Sequence, residues 1–191
     1  MRVLVGLLLA LSSVVALAQD EAANPKVSLK TNQGEIVLEL YPQKAPKTVE
    51  NFLGYVKSGH YNGTIFHRVI NGFMIQGGGY ASDLSARPTG APITNEATNG
   101  LKNENGTIAM ARTSDPHSAT AQFFINVNNN ASLDHRSTAS NATFGYAVFG
   151  KVIEGMDVVD KIKAIPTQAR SPLFANLPTT PVLIEKAEVV E

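Results

Sequence analysis

Cysteine and tryptophan are both missing from this 191-residue chain. The absence of cysteine excludes a thiol nucleophile, a thiolate zinc site and any disulfide staple. An excess of one charge is missing too: 16 Lys and Arg stand against 16 Asp and Glu. Nothing in that balance draws the chain to nucleic acid or to an acidic membrane surface. Repeats, heptads and low-complexity tracts are absent. So are the Gly-x-Ser-x-Gly elbow of a hydrolase and the His-Glu-x-x-His helix of a zinc protease. The four histidines, His60, His67, His117 and His135, lack ligand spacing and read as structural or surface residues, so neither metal nor cofactor is expected. Gly77-Gly78-Gly79 is followed by no helical pattern and no Lys-Ser/Thr pair, and so reads as a backbone turn that ends a strand, not as a phosphate loop.

Long apolar runs are lacking as well, except at the start. Arg2, the apolar stretch Val3 to Val15 and the small residues Ala16-Leu17-Ala18 read as a secretory signal peptide over 1–18, cleaved before Gln19. The apolar stretch is short for a membrane span. Residues 19–25 read as a loose polar start, and 26–191 as one domain. The chain's 43% hydrophobic content suits a sizeable core that needs no disulfides. Four Asn-x-Ser/Thr sequons, at Asn62, Asn105, Asn130 and Asn141, would accept glycans on a eukaryotic route and are plain loop sequence in a bacterium.

Within that domain β signals prevail. Val27, Leu29 and Thr31 alternate with polar residues, Asn32-Gln33-Gly34 turns the chain, and Ile36 to Leu40 returns: a hairpin. Pro46 suits the first turn of a helix, and Val49, Phe52, Leu53 and Val56 make one apolar stripe before Gly59. A helix is therefore expected over 46–57, laid across an open end of a β structure. Strands are expected at 64–70, 73–77, 107–112, 122–127 and 146–152, divided by turn-rich clusters. The interval 79–105 reads as surface loops, 154–163 as a second helix and 164–181 as an extended connection. Val182 to Val190 reads as a strand whose pairing with the first hairpin would close the sheet.

One charge stands out. Arg68 lies among Phe66, Val69, Ile70, Phe73 and Met74, where it costs free energy unless something uses it. Alternation puts Phe66, Arg68 and Ile70 on one face of a strand and His67 and Val69 on the other. The guanidinium is either a snorkelling or ion-paired group on a half-buried strand, or a set of fixed donors aimed at a substrate in an apolar cleft.

The stretches FHRVINGFMIQGG, GTIAMAR, QFFINV, LDHR and FGYAVFGKVIEGMDVVDKI resemble the cyclophilins, peptidyl-prolyl cis/trans isomerases, in register from about Val27 to Val190. Together with the exported N-terminus they look most like the bacterial periplasmic members of rotamase A type. The resemblance implies a mainly β fold, a closed eight-stranded antiparallel barrel with two helices covering its ends. It implies rotation about Xaa-Pro bonds in unfolded or partly folded proline-containing polypeptides, by a monomer in the periplasm that needs no cofactor. By the same resemblance, the catalytic arginine falls on Arg68 and the substrate-orienting glutamine on Gln76. The proline-ring pocket falls on Phe73, Met74, Phe124 and Leu133, a second cleft glutamine on Gln122, and the backbone contact to substrate on Ala111 and Arg112, the latter where Asn is more usual. Tyr146 takes the place of a rim histidine. Ser132 takes that of a tryptophan associated with cyclosporin binding, so weak cyclosporin binding is expected. The alternative from another class is a proline-peptide-binding or chaperone module with negligible turnover.

Overall fold

The computed structural model describes residues 23–190. The expected signal peptide 1–18, residues 19–22 of the loose segment, and Glu191 lie outside the described residues. The domain begins with the foreseen hairpin, β1 (Lys26–Thr31) and β2 (Gly34–Leu40), paired antiparallel. Its turn is fixed locally: the Thr31 hydroxyl donates to the Gly34 carbonyl at 2.6 Å and accepts from the Gln33 amide at 3.0 Å.

Next comes α1 (Pro46–Lys57), with Pro46 in its first turn and Val49, Phe52 and Val56 buried. Phe52 reaches the barrel interior, its ring 5.2 Å from that of Tyr61, 5.5 Å from Phe123 and 5.1 Å from Phe149. The residue before the helix, Ala45, offers no capping side chain. Glu96 does the work from afar, accepting from the Thr48 amide at 2.8 Å, the Thr48 hydroxyl at 2.7 Å and the Lys47 amide at 3.2 Å.

The remaining elements are β3 (Thr64–Ile70), β4 (Met74–Ala81), β5 (Thr107–Met110), β6 (Phe123–Asn126), β7 (Val148–Glu154), α2 (Met156–Lys163), β8 (Thr167–Gln168), β9 (Leu177–Pro178) and β10 (Leu183–Val190). Eight strands close a barrel in the order β1-β10-β3-β4-β6-β5-β7-β2. As expected of the strand 182–190, β10 pairs with the first hairpin, at β1. Helix α2 starts at Met156, not at 154, because Glu154 still pairs with Val37 in the sheet. The connection 164–181 is more than extended chain: Thr167 and Gln168 pair with Pro178 and Leu177 in a small second sheet.

Two expectations fail at one place. The strand expected to stop at the glycines runs through them to Ala81. It can do so because they lack side chains: a Cβ on Gly77 would meet Phe66 at 3.0 Å and one on Gly79 would meet Gln122 at 2.5 Å. The alternation expected along 66–70 breaks as well. Phe66 pairs with Gly77 and Arg68 with Gln76, so His67 is an extra residue, a β-bulge. Phe66 consequently joins Val69 in the main core, while Arg68 and Ile70 face the other way. The interval 79–105 is not purely surface either. Asn95, Ala97 and Asn103 within it are buried.

Candidate active site

The site lies on the outer face of the strands β3, β4, β6 and β5. Inward-facing Val69, Ile75, Phe123, Ile125 and Ile108 belong to the main core, so their alternate neighbours point out. The strand register sets five of those neighbours in a row: Arg68 opposite Gln76, Gln76 opposite Phe124, Phe124 opposite Ala109, and Ala109 opposite Val148. Cross-strand neighbours on one face stand close enough for their side chains to touch. Arg68 therefore sits on the same side of the sheet as Met74 and Phe124.

At one end of the row the polar groups are chained. Arg68 Nη1 donates to Gln76 Oε1 at 3.3 Å, and Gln76 Nε2 donates to Gln122 Oε1 at 2.9 Å. This fixes the Gln76 amide, carbonyl toward Arg68 and amino group toward Gln122. Among the described residues Arg68 has no carboxylate partner, so its charge is not spent in an ion pair. A cleft of about 440 Å³ opens over this chain, lined among others by Arg68, Gln76, Ala111, Gln122, His67 and Leu173. His67 forms part of its floor with a pKa lowered to about 4, first by burial and then by the Arg68 charge, against a raising hydrogen bond to the Ile65 backbone. It is an uncharged ring packed on Tyr80 at 4.7 Å.

Further along, Met74, Ala109, Phe124 and Val148 form a small apolar cluster separate from the core, with Phe73, Ala111, Leu133 and Tyr146 packed against it. The Phe124 and Tyr146 rings meet edge-on, 5.7 Å apart. The residues expected to form a ring pocket are thus brought together beside Arg68. Ile70 and Leu101 join them and were not foreseen.

What holds this seat was also missed. Asn130 Nδ2 donates to the Phe73 carbonyl at 2.7 Å and to Asn126 Oδ1 at 2.7 Å. Asn126 Nδ2 donates to Asn103 Oδ1 at 3.2 Å, and Asn103 Nδ2 to the Leu133 carbonyl at 3.2 Å. Three buried amides therefore tie the backbones of two pocket residues together. Asn126 inside the apolar run QFFINV was the available signal, since a buried amide needs partners. Asn130, read as a possible glycan acceptor, is buried with its amide engaged in this network.

At Arg112 only a backbone contact was expected, and the side chain has a role of its own. Its guanidinium donates to three carbonyls, Nε to Gly145 at 3.0 Å, Nη1 to Thr113 at 2.9 Å and Nη2 to Asn141 at 2.9 Å. It also lies over the Tyr146 ring, 4.5 Å from the centroid. Its side chain braces the pocket wall, and only its main chain is left to face a ligand. Ser132 lies exposed in the short turn Ala131–Leu133, adding no ring to the pocket.

The arrangement offers an apolar cluster, a guanidinium without a carboxylate partner on the same face of the sheet, and an oriented amide chain lining the neighbouring cleft. It suits a small apolar ring carrying a polar group that the arginine can reach. Comparison with known proteins points the same way. The family described as cyclophilin type peptidyl-prolyl cis-trans isomerase/CLD matches residues 26–189. The peptidyl-prolyl cis-trans isomerase cyp18 of Streptomyces antibioticus is 61% identical over 164 residues, covering 86% of this chain and 98% of that relative. Peptidyl-prolyl cis-trans isomerase B of Escherichia coli is 55% identical, covering 86% of this chain and 99% of its own. Among solved structures, a Cryptosporidium parvum cyclophilin type isomerase, crystallised in the presence of the dipeptide Ala-Pro, superposes with a TM-score of 0.71. It is 27% identical and covers 87% of this chain and 99% of its own.

Proposed function

Because the chain belongs to the cyclophilin-type peptidyl-prolyl cis-trans isomerases, we propose that it turns Xaa-Pro bonds in exported polypeptides, with Arg68 as the catalytic group. The observation that carries the mechanism is the unpaired Arg68 guanidinium on the same face as the Phe73, Met74, Phe124 and Leu133 seat.

Amide resonance holds the Xaa-Pro bond behind a barrier of roughly 18–20 kcal/mol, so unaided turnover takes tens to hundreds of seconds. No covalent bond need form. The twisted state must only be bound better than either planar isomer. Rotation pyramidalises the proline nitrogen and localises its lone pair, and Arg68 donates to that lone pair when resonance is lost. The apolar seat grips the ring. Gln76, held by Arg68 and Gln122, and the main-chain amide of Arg112 orient the carbonyl before it, while Ala111, whose amide is given to the Gln122 carbonyl, offers its own carbonyl as an acceptor. Tyr146 closes the rim of the seat, braced by Arg112.

Proline-containing unfolded or partly folded chains are the substrates this site suits, and the mature protein acts as a monomer in the periplasm. Support for export comes from the sequence alone, the apolar stretch Val3 to Val15 and the small residues before Gln19. Expression of the full chain in a Gram-negative host tests both parts. A periplasmic product beginning at Gln19 that accelerates cis/trans exchange of an Ala-Pro peptide in NMR is expected. A cytoplasmic product that keeps Met1 refutes the export reading, and a folded product without exchange activity refutes the mechanism.

A further inference from the structure

Leu173 is 61% exposed, the most exposed of the large apolar side chains in the described residues, and it lines the same cleft as Arg68. Solvent-exposed leucines are common, and one alone would mean nothing. This one is built into place. The next residue, Phe174, is buried, its ring 5.0 Å from Tyr80 and 6.2 Å from the His67 ring, each edge-on. The Phe174 amide donates to the Ser171 carbonyl and its carbonyl accepts from the Arg170 amide, both at 3.0 Å, closing a tight loop. The Val69 amide, one residue from Arg68, donates to the Asn176 carbonyl at 3.0 Å. Segment 170–176 is thus pinned to the strand that carries Arg68, and its anchor leaves Leu173 facing the cleft.

We propose that Leu173, over the floor of His67 and Tyr80, is a specificity subsite for the side chain that follows proline, and that it favours aliphatic and aromatic residues there. The assignment of the occupant rests on the reading above. With the residue before proline held at Ala111, on the β5 side, the chain leaving the ring passes Arg68, on the β3 side, and Leu173 stands beyond it. His67 is uncharged at neutral pH, and Tyr80 presents a ring, so the floor suits an apolar group. Leu173 belongs to the turn-rich connection 164–181, where nothing in the sequence marked it.

The test compares two peptides, Ala-Ala-Pro-Phe and Ala-Ala-Pro-Gly, by exchange NMR with the full-length mature chain. The expected ratio of kcat/KM is roughly fivefold to tenfold in favour of Phe, the scale of one partly desolvated apolar contact. Leu173→Ala should bring that ratio close to one. Leu173→Glu should reverse the preference toward a peptide with Lys after proline. Ile153→Ala, an exposed apolar residue elsewhere on the barrel, should leave the ratio as it was. Equal ratios in the wild type and the Leu173 variants overturn the subsite while leaving the isomerase reading intact. An absence of exchange with every peptide would instead defeat the reading on which the subsite rests.

Discussion

Replacing Arg68 with alanine separates the two uses of that residue. In the resting site its side chain makes one hydrogen bond, to Gln76 Oε1, and at 3.3 Å that bond is long. The group is half-buried, and Gln76 keeps its second partner, Gln122. Stability should therefore fall by no more than about 1 kcal/mol, a shift of a few degrees in Tm for a domain of this size. The reaction loses much more if the guanidinium donates to the twisted imide nitrogen. A charge-assisted hydrogen bond present only in the transition state contributes about 1.5–3 kcal/mol, which is roughly a ten- to 150-fold loss of kcat/KM. Since that bond is absent in either planar isomer, the loss should fall on kcat more than on KM. Arg68→Lys keeps the charge without the planar fork and should lie between. Exchange NMR on an Ala-Pro peptide at several concentrations, with a melting curve on the same sample, reads both quantities. A variant with an unchanged melting point and wild-type kcat would refute the role given to Arg68.

His67 should make the fold acid-sensitive. Its folded pKa is about 4, below the ordinary value of about 6.5, so the unfolded chain binds the extra proton first. Stability is full above about pH 6.5 and is lost as pH falls toward about 4, by about 3 kcal/mol in total. His67→Phe should flatten that part of the curve, and matching pH profiles for the two proteins would dismiss the idea. Gly79→Ala places a methyl 2.5 Å from Gln122 Cγ and Cδ. Gln122 should be pushed off Gln76, and kcat/KM should fall roughly three- to tenfold while the fold persists. The same change in a Gln122→Ala background should cost little, and an equal loss in both backgrounds would contradict it. Cyclosporin should inhibit weakly, because Ser132 supplies no aromatic surface. A loss of roughly 1.5–3 kcal/mol is about ten- to 150-fold in affinity, and nanomolar inhibition in a peptide assay would count against it.

The parts of this molecule that obey local rules were readable along the chain. Pro46 and the stripe Val49, Phe52, Val56 dictate α1 without reference to anything distant. The strand-like stretch 182–190 likewise called for a partner, and β1 is one. Features made by distant segments were not readable. Glu96 caps a helix 49 residues upstream, and no pattern near either residue announces it. The bulge at His67 depends on the register between two strands, so strict alternation put Phe66 on the wrong face. The candidate site divides in the same way. Its residue types were carried by motif resemblance, whereas the bracing by Arg112 exists only once residue 112 has met the segment 141–145, and the asparagine chain behind Phe73 only once Asn103 has met Asn126.

The pairing of β1 with β10 joins the two ends of the domain, Lys26 opposite Val190. The ring cannot close before β10 has been made, so closure brings together segments about 160 residues apart and is slow to form by local steps alone. Loss of the strand Leu183–Val190 would leave β1 and β3 as unsatisfied rims able to recruit neighbouring molecules. Arg68 stands on β3, the neighbour of β10, so the strand that carries the proposed catalytic group gains its second partner only when the ring closes.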